Sequence, residues 1–586
     1  MDLVSEIFDA IRLGFDKTGV KETKVTVVYS ARPELADFQC NSVFQAAKEL
    51  GAKPLELAEK IVQNIPAVDG FEFSVCPPAF INVKVSDKRL SSELNRRNSD
   101  ILLGLKQTQN PLTVVMDYGG ANVAKELHIG HLRSPLIGEA LARLYRLHGH
   151  KVITDTHLGD YGLQMGLTVA QLEDEGYLNG YFDSSKQNLE ISLEDLNRAY
   201  PAASKRKDVE PEFRKKAEDY TLFIQNKKEP YFTIYKDIRN ISIEKIKKNY
   251  GELNCFFDLW YGESTAAPYI PETINAFVSQ GLARESDGAL VVDVAVDGEN
   301  IPTDKLDENG KVLFKNPMPP MILKKHNGAD MYATSDVACI MQRNRDFAPD
   351  KIIYIVDFRQ NKHFTQVFRA SKLAGISPES QELIHVGFGT INGKDGKAFK
   401  TREGTTIKLE DIISMIKSKA AEKLSENGIV GDDELARQIG VAALKFGDLS
   451  NVVSKDYVFD LDRFASFEGK TGPYIQYTCA RINSLLEKAN EKPSEIDITT
   501  SEERGVAFAL LKLTDSYYLA QNQNSLHTVC ACLYDLASAF SVLYNNIKIN
   551  SAETTKKRKY LAITQLVHKA LAQGLDVLGM DMPNKM

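Results

Sequence analysis

The stretch DYGGANVAKELHIGHLR runs from Asp117 to Arg133. Just before it, Val114-Val115-Met116 is a short apolar run of the kind a buried strand carries. Gly119 and Gly120 then interrupt the pattern, where a backbone turns tightly or passes close to a ligand. Beyond His128, the residues Leu132, Leu136, Ala140, Leu144 and Leu147 recur at helical spacing, and Gly149 stops the helix. The segment therefore reads as strand, glycine turn, helix. His128 and His131 fall three apart at the helix start and share one face. Free N–H groups and the macrodipole make such a terminus attractive to anions. Two imidazoles there can donate hydrogen bonds to phosphate oxygens as charge builds, and Lys125 adds a mobile cation. Two other readings fit the same residues. One is a solvent-facing helix start with incidental histidines. The other is a zinc site drawing on His148, His150 and His157, although no Cys lies between Cys76 and Cys255 to complete it.

The bulk numbers are permissive. A chain of 586 residues holds several domains, three or four by length alone. A net charge of −7 argues mildly against a nucleic-acid binder, but local patches count for more than the sum. Seven cysteines without metal-like spacing suit reduced cytosolic thiols. The start, MDLVSEIFD, lacks a signal-peptide pattern. No apolar run approaches the roughly 18 residues of a membrane span. A cytoplasmic chain is expected.

HIGH at His128–His131, after a strand and opening a helix, resembles the signature of class I aminoacyl-tRNA synthetases. The longer string ANVAKELHIGHLR resembles arginyl-tRNA synthetases in particular, and the likeness runs along the whole chain. It implies an arginine–tRNA ligase that uses ATP with Mg2+, L-arginine and tRNA(Arg), most often as a monomer. His128, His131, Lys125 and Lys400 are then the catalytic set. Gly130, Gly159, Lys397 and Arg402 join them around the nucleotide.

Residues 1 to 105 read as a small α+β domain, with helices at Val4–Phe15, 41–50 and 54–65 and strands at 24–29, 71–75 and 80–85. Its place in the chain resembles the domain that touches the tRNA elbow in the family. Pro78, Ala79, Phe80, Ile81 and Asn82 match the family's P-x-F-I-N pattern. Phe80 could stack on a splayed base and Asn82 bond its edge, or Phe80 could simply be core. Arg96-Arg97 and the polar run to Asp100 end the domain.

A doubly wound parallel, Rossmann-like sheet is expected over 106–415, with its ligand at the strands' carboxyl ends. The parallel pattern lapses from about 172 to 319, in charged, Lys-rich helices that read as an insertion. It resumes at Met321–Leu323. Tyr332 and Asp336, four apart, share a helical face. A guanidinium's planar fork pairs bidentately with a carboxylate, which lysine cannot reproduce. In the family, positions matching Asp117, Asn122, Tyr332, Asp336 and Gln360 hold arginine. Gly120 stands where some members have serine. Lys394, Lys397, Lys400 and Arg402 lie in a Gly-rich loop where class I enzymes carry KMSKS. This chain has FKTRE at Phe399–Glu403, and in the family Lys125 is thought to supply the missing cation.

Residues 416–459 look like a connector along the tRNA stem, and 460–586 like an all-helical anticodon-binding bundle. Tyr477, Phe540, Tyr544 and Met586 match family positions near the anticodon, although taken singly each aromatic reads as bundle core. Another class I adenylating enzyme, such as a pantothenate-synthetase-like ligase or a cysteine synthetase, shares the signature. A catalytically silent RNA-binding relative is the other alternative, and intact His128, Gly130 and His131 argue against it.

Overall fold

The computed structural model describes the chain apart from residues 1–2, 297–298, 300–301, 307–311, 315–317, 327–330, 398, 400–406, 548 and 550–551. Four parallel strands form the central sheet: Thr113–Asp117, Lys151–Asp155, Lys351–Asp357 and Glu382–Phe388. Across the sheet the order is fourth, third, first, second. The first and third strands, buried along most of their length, are the continuous apolar runs that a sheet covered on both faces requires. The chain leaves the first strand toward opposite edges, so a crevice opens at the carboxyl ends of the first and third. Asp117 pairs there with Asp155 on one side and Tyr354 on the other. The doubly wound arrangement expected from the sequence is present.

The insertion packs against the start of this unit. Its long helices are Leu193–Val209, Pro211–Gln225 and Tyr231–Glu252. They share an apolar core with the signature segment and with the connector helices Leu409–Glu426 and Asp433–Leu449. Met321 does not resume the parallel sheet. The strand Met321–Lys324 pairs antiparallel with Ala289–Val292, in a separate three-stranded sheet with Ala283–Ser286. Three apolar residues announce a strand but not its partner, and here the insertion's own hairpin is the neighbour.

The N-terminal unit is a four-stranded antiparallel sheet with helices Leu3–Lys17, Val43–Leu50 and Pro54–Asn64. The strand expected over 24–29 shrinks to Val28–Tyr29, because its partner Phe38–Cys40 is only three residues long. The polar run around Arg96-Arg97 is no linker. It is the end of a helix, Asp87–Ser99, whose N-cap Ser86 accepts from the Arg89 N–H. Four helices build the C-terminal bundle: Gly472–Lys488, Ser501–Gln523, His527–Asn546 and Thr554–Val577. One apolar core runs from Phe15 and Phe38 through Val114 and Ile353 to Phe446, Tyr517 and Leu571, so these units are fused rather than strung together. No helix among the described residues is long and apolar enough to cross a membrane.

Candidate active site

The glycine turn after Asp117 is held from several sides. Gly119 has φ +70°, which L side chains resist. Its N–H donates to Ser134 Oγ at 2.7 Å, and its carbonyl accepts from Thr156 Oγ1 and the Tyr250 hydroxyl. The chain then crosses the segment after the second strand, with Asn122 bridged to Gly159. A β-carbon at Gly159 would stand 2.2 Å from Asn122 Oδ1, and one at Gly120 would stand 2.8 Å from the His157 carbonyl. The serine that some relatives have at Gly120 would therefore need the backbone to shift.

The signature opens as a short 3-10 turn, Ile129–His131, and the α-helix proper is Arg133–Leu147. His128 is the extended N-cap of this turn and His131 its last residue, and their rings lie 4.1 Å apart. The two imidazoles form a reciprocal capping box. His128 Nδ1 accepts from the Gly130 N–H and His131 Nδ1 accepts from the His128 N–H, both at 3.1 Å. Each neutral ring must then carry its proton on Nε2. The free N–H groups expected at this terminus are not free. Those of Gly130 and His128 are on the imidazoles, that of His131 is on the His128 carbonyl, and that of Ile129 is on Ile407. The donors left for an anion are the imidazole Nε2–H groups. Burial, then the Lys125 charge, lowers the His128 pKa; burial and the neighbouring His128 push His131 down to about 4.

A cleft, partly open to solvent, lies at the strand ends. Gly130, His131, Asn122 and Gly159 line it, and so do Asp117, Tyr332 and Asp336. Nucleotide-side and amino-acid-side candidates thus meet in one hollow. Asp336, on the helix Tyr332–Phe347, is bound through Oδ2 by His363 Nε2 at 2.6 Å. Its Oδ1 makes no hydrogen bond among the described residues. Tyr332 stacks on the His363 ring at 4.8 Å, and the Asp336 charge followed by burial raises its phenol pKa.

Asp117 has a partner already. Arg343, fully buried, reaches Asp117 Oδ2 at 2.7 Å and Asp155 Oδ2 at 2.6 Å with one nitrogen. Asp117 is therefore a wall of the cleft whose charge is spent internally. Burial raises its pKa, with Arg343 and His157 opposing. His157 lies 3.7 Å from Cys339 Sγ and is raised to about 10: burial opposes its charge, and Cys339 and Asp117 outweigh burial. Asp117, Asp155 and His157 could ligate a metal, but the Arg343 guanidinium already bridges the two carboxylates. His148 is held by the Leu144 carbonyl and His150 by the Leu112 N–H, so the three histidines of the zinc reading are not gathered.

Sequence reasoning missed Glu263 and Arg343, and it offered His157 only as a zinc ligand. Glu263 lines the cleft and burial raises its pKa. It heads a four-residue helix far along the chain and carries no local signal. Arg343 carried one, since it follows Asp336 by seven and Cys339 by four, which is one helical face. Gln360 stands exposed in the turn Phe358–Gln360, between Asp357 and Phe364, both of which line the cleft; it is not itself a lining residue.

Lys125 lies beyond the cleft wall, its Nζ 4.3 Å from the centre of the Tyr200 ring. Lys397 is exposed, with its carbonyl accepting from the Gly393 N–H, while Lys400 and Arg402 fall outside the described residues. Phe80 is half-buried, edge-on to Phe44. Asn82 is only 5% exposed, and its Oδ1 accepts from Gln39, which removes it as a reader of a base edge. Phe540 is core at 1% exposure and offers no stacking face. Tyr477 is 45% exposed, and Tyr544 stacks under Arg481 at 3.8 Å. Met586 packs against the connector's apolar cluster, which includes Leu424, Leu435 and Ile439.

Three family models match in chain order: "Arginyl tRNA synthetase N terminal domain" over residues 3–85, "tRNA synthetases class I (R), catalytic domain" over 97–461, and "DALR anticodon binding domain" over 475–586. An arginine–tRNA ligase of Alkaliphilus oremlandii is 39% identical and one of Agathobacter rectalis 37%, each with all of both chains covered. The arginyl-tRNA synthetase structure of Plasmodium falciparum superposes with a TM-score of 0.82 at 23% identity, covering 100% of this chain and 99% of that one. That of Thermus thermophilus gives 0.80 at 22% identity and full coverage of both. With a matching catalytic model over most of its length and relatives that align end to end, the chain belongs to the class I arginyl-tRNA synthetases.

Proposed function

We propose that this arginine–tRNA ligase works through the cleft at the strand ends, with His128, His131 and Lys125 on the phosphates and Asp336 on the guanidinium. The observation that carries the reading is the shared hollow: His131 and Gly130 line the same cleft as Tyr332, Asp336 and Glu263. An arginine carboxylate oxygen attacks the α-phosphorus of ATP, the bond to the β-phosphate breaks, and pyrophosphate leaves with its electron pair. A ribose hydroxyl of the tRNA's terminal adenosine then attacks the carbonyl carbon of the adenylate and expels AMP. No side chain forms a bond to substrate, so catalysis is positioning and charge stabilisation.

Nε2–H of His128 and His131 donates to phosphate oxygens as they gain charge, with both rings neutral. Lys125 and, from the loop, Lys397, Lys400 and Arg402 neutralise the leaving group. Asn122 takes the amino-acid end of arginine, and Gln360 would have to swing inward to reach it. Asp336 Oδ1 takes the guanidinium, with His363 holding the other oxygen in place. Glu263 adds a second acidic wall, a role that Asp117, occupied by Arg343, cannot fill alone. Magnesium arrives with ATP. For tRNA, the N-terminal unit up to residue 105 takes the elbow through Phe80, residues 416–459 lie along the stem, and the bundle from 460 reads the anticodon with Tyr477, Tyr544 and the Met586 end. The protein acts as a cytoplasmic monomer.

Aminoacylation with arginine and total tRNA tests the reading. Asp336→Asn should raise KM for arginine by about 10- to 150-fold, as for a lost hydrogen bond to a charged group. An unchanged KM would remove Asp336 from the pocket.

A further inference from the structure

The insertion's helices meet the signature segment at Lys125. Ala124, just before it, sits at φ +62°, a left-handed conformation that a β-carbon disfavours. Its N–H donates at 3.1 Å to Ser242 Oγ, on the insertion helix Tyr231–Glu252, and that buried hydroxyl donates in turn to the Ile238 carbonyl. The strained residue is thus pinned from the insertion side. Lys125 then projects onto the face of Tyr200, from the insertion helix Leu193–Val209, with Nζ 4.3 Å from the ring centre.

The partners of the neighbouring lysines differ in kind. Lys408 pairs with Glu126 at 2.8 Å and Lys245 with Glu410 at 2.6 Å. Among the described residues Lys125 has no carboxylate within ion-pair distance. A carboxylate would hold the ammonium and cancel its charge. An aromatic face holds it through the ring quadrupole and leaves the full charge available to a polyanion.

We infer that Tyr200 is a positioning residue for the activation step: its ring holds the uncancelled Lys125 ammonium beside the His128–His131 turn, with Ser242 fixing the backbone that presents it. The inference rests on the reading of Lys125 as a phosphate-side cation. It gives the insertion a part in activation that its sequence does not announce.

ATP–pyrophosphate exchange, measured with tRNA present, tests this with Tyr200→Leu, Tyr200→Phe, Lys125→Ala and the double variant Tyr200→Leu/Lys125→Ala. Tyr200→Leu should lower kcat about 3- to 30-fold, the range of one cation–π contact, with KM for arginine unchanged. Tyr200→Phe keeps the ring and should match the parent chain. In the Lys125→Ala background Tyr200→Leu should cost nothing further, which separates positioning from damage to the fold. A parent-like kcat for Tyr200→Leu, an equal loss in Tyr200→Phe, or the same loss in the Lys125→Ala background would overturn the inference. A parent-like kcat for Lys125→Ala alone would instead overturn the reading of Lys125 on which it stands.

Discussion

Backbone N–H groups decide where the proton sits on each signature imidazole. Both Nδ1 atoms accept from the chain, so both Nε2 atoms must donate outward. His128→Ala should therefore lower kcat by about 100- to 1000-fold, the usual cost of one donor aimed at developing charge, with little change in KM for arginine. Equal losses in both would count against the role. Protonation follows from the same geometry. His131 titrates near 4 in the folded chain and near its ordinary 6.5 when unfolded, so the unfolded chain takes up the proton first. Stability is then lost as pH falls from about 6.5 toward about 4. His131→Asn should flatten that part of the curve of thermal midpoint against pH; an identical acid limb in both chains would rule the explanation out. At this scale the pairing of His128 with His131 and the shared helix of Tyr332 and Asp336 were legible, because their spacing is local. The sequence was silent on Glu263 and on the internal partner of Asp117, because Arg343 lies more than two hundred residues away.

Most helices and strands were legible because apolar periodicity is a local property; their neighbours were not. The helix Asp87–Ser99 hid behind its charges, since Glu93 and Arg97 are buried against each other at 2.8 Å rather than exposed. The helix Arg133–Leu147 shows what an element does beyond its own hydrogen bonds. Arg133, two residues past the signature, is buried and donates to Asp448 Oδ2 at 3.0 Å, to the Gly389 carbonyl at 2.8 Å and to the Lys455 carbonyl at 3.0 Å. It ties together the signature helix, the exit of the fourth sheet strand and both ends of the connector's turn. Asp448→Asn leaves that guanidinium buried without its counter-charge and should cost about 3–5 kcal/mol. The loss would be read as a lower thermal midpoint, and an unchanged midpoint would show that the carbonyls suffice.

Across the whole molecule, the loop that carries Lys397 is rooted in the connector. Ile391–Asn392 pairs with Tyr457–Val458, and Phe399 packs on Phe459 at 5.1 Å. Under the proposed role of this loop, pressure on the connector would be felt at its root. ATP–pyrophosphate exchange should accordingly fall at least about tenfold when tRNA is left out; brisk exchange without it would break the link. A second joint closes the far side. Arg504 of the bundle grips Asp37, Asp87 and the Val85 carbonyl of the N-terminal unit, while Tyr29 bonds Asp515 and Asn95 bonds the Ile496 backbone. Asp37 is buried under this guanidinium, so breaking the grip would leave its charge without a partner. The two ends of the chain are thus held at one relative placement, and the distance between their outer faces is fixed. If Phe80 and Tyr477 meet the tRNA as proposed, a tRNA lengthened by one base pair in its anticodon stem would keep every identity nucleotide and still fail to reach both.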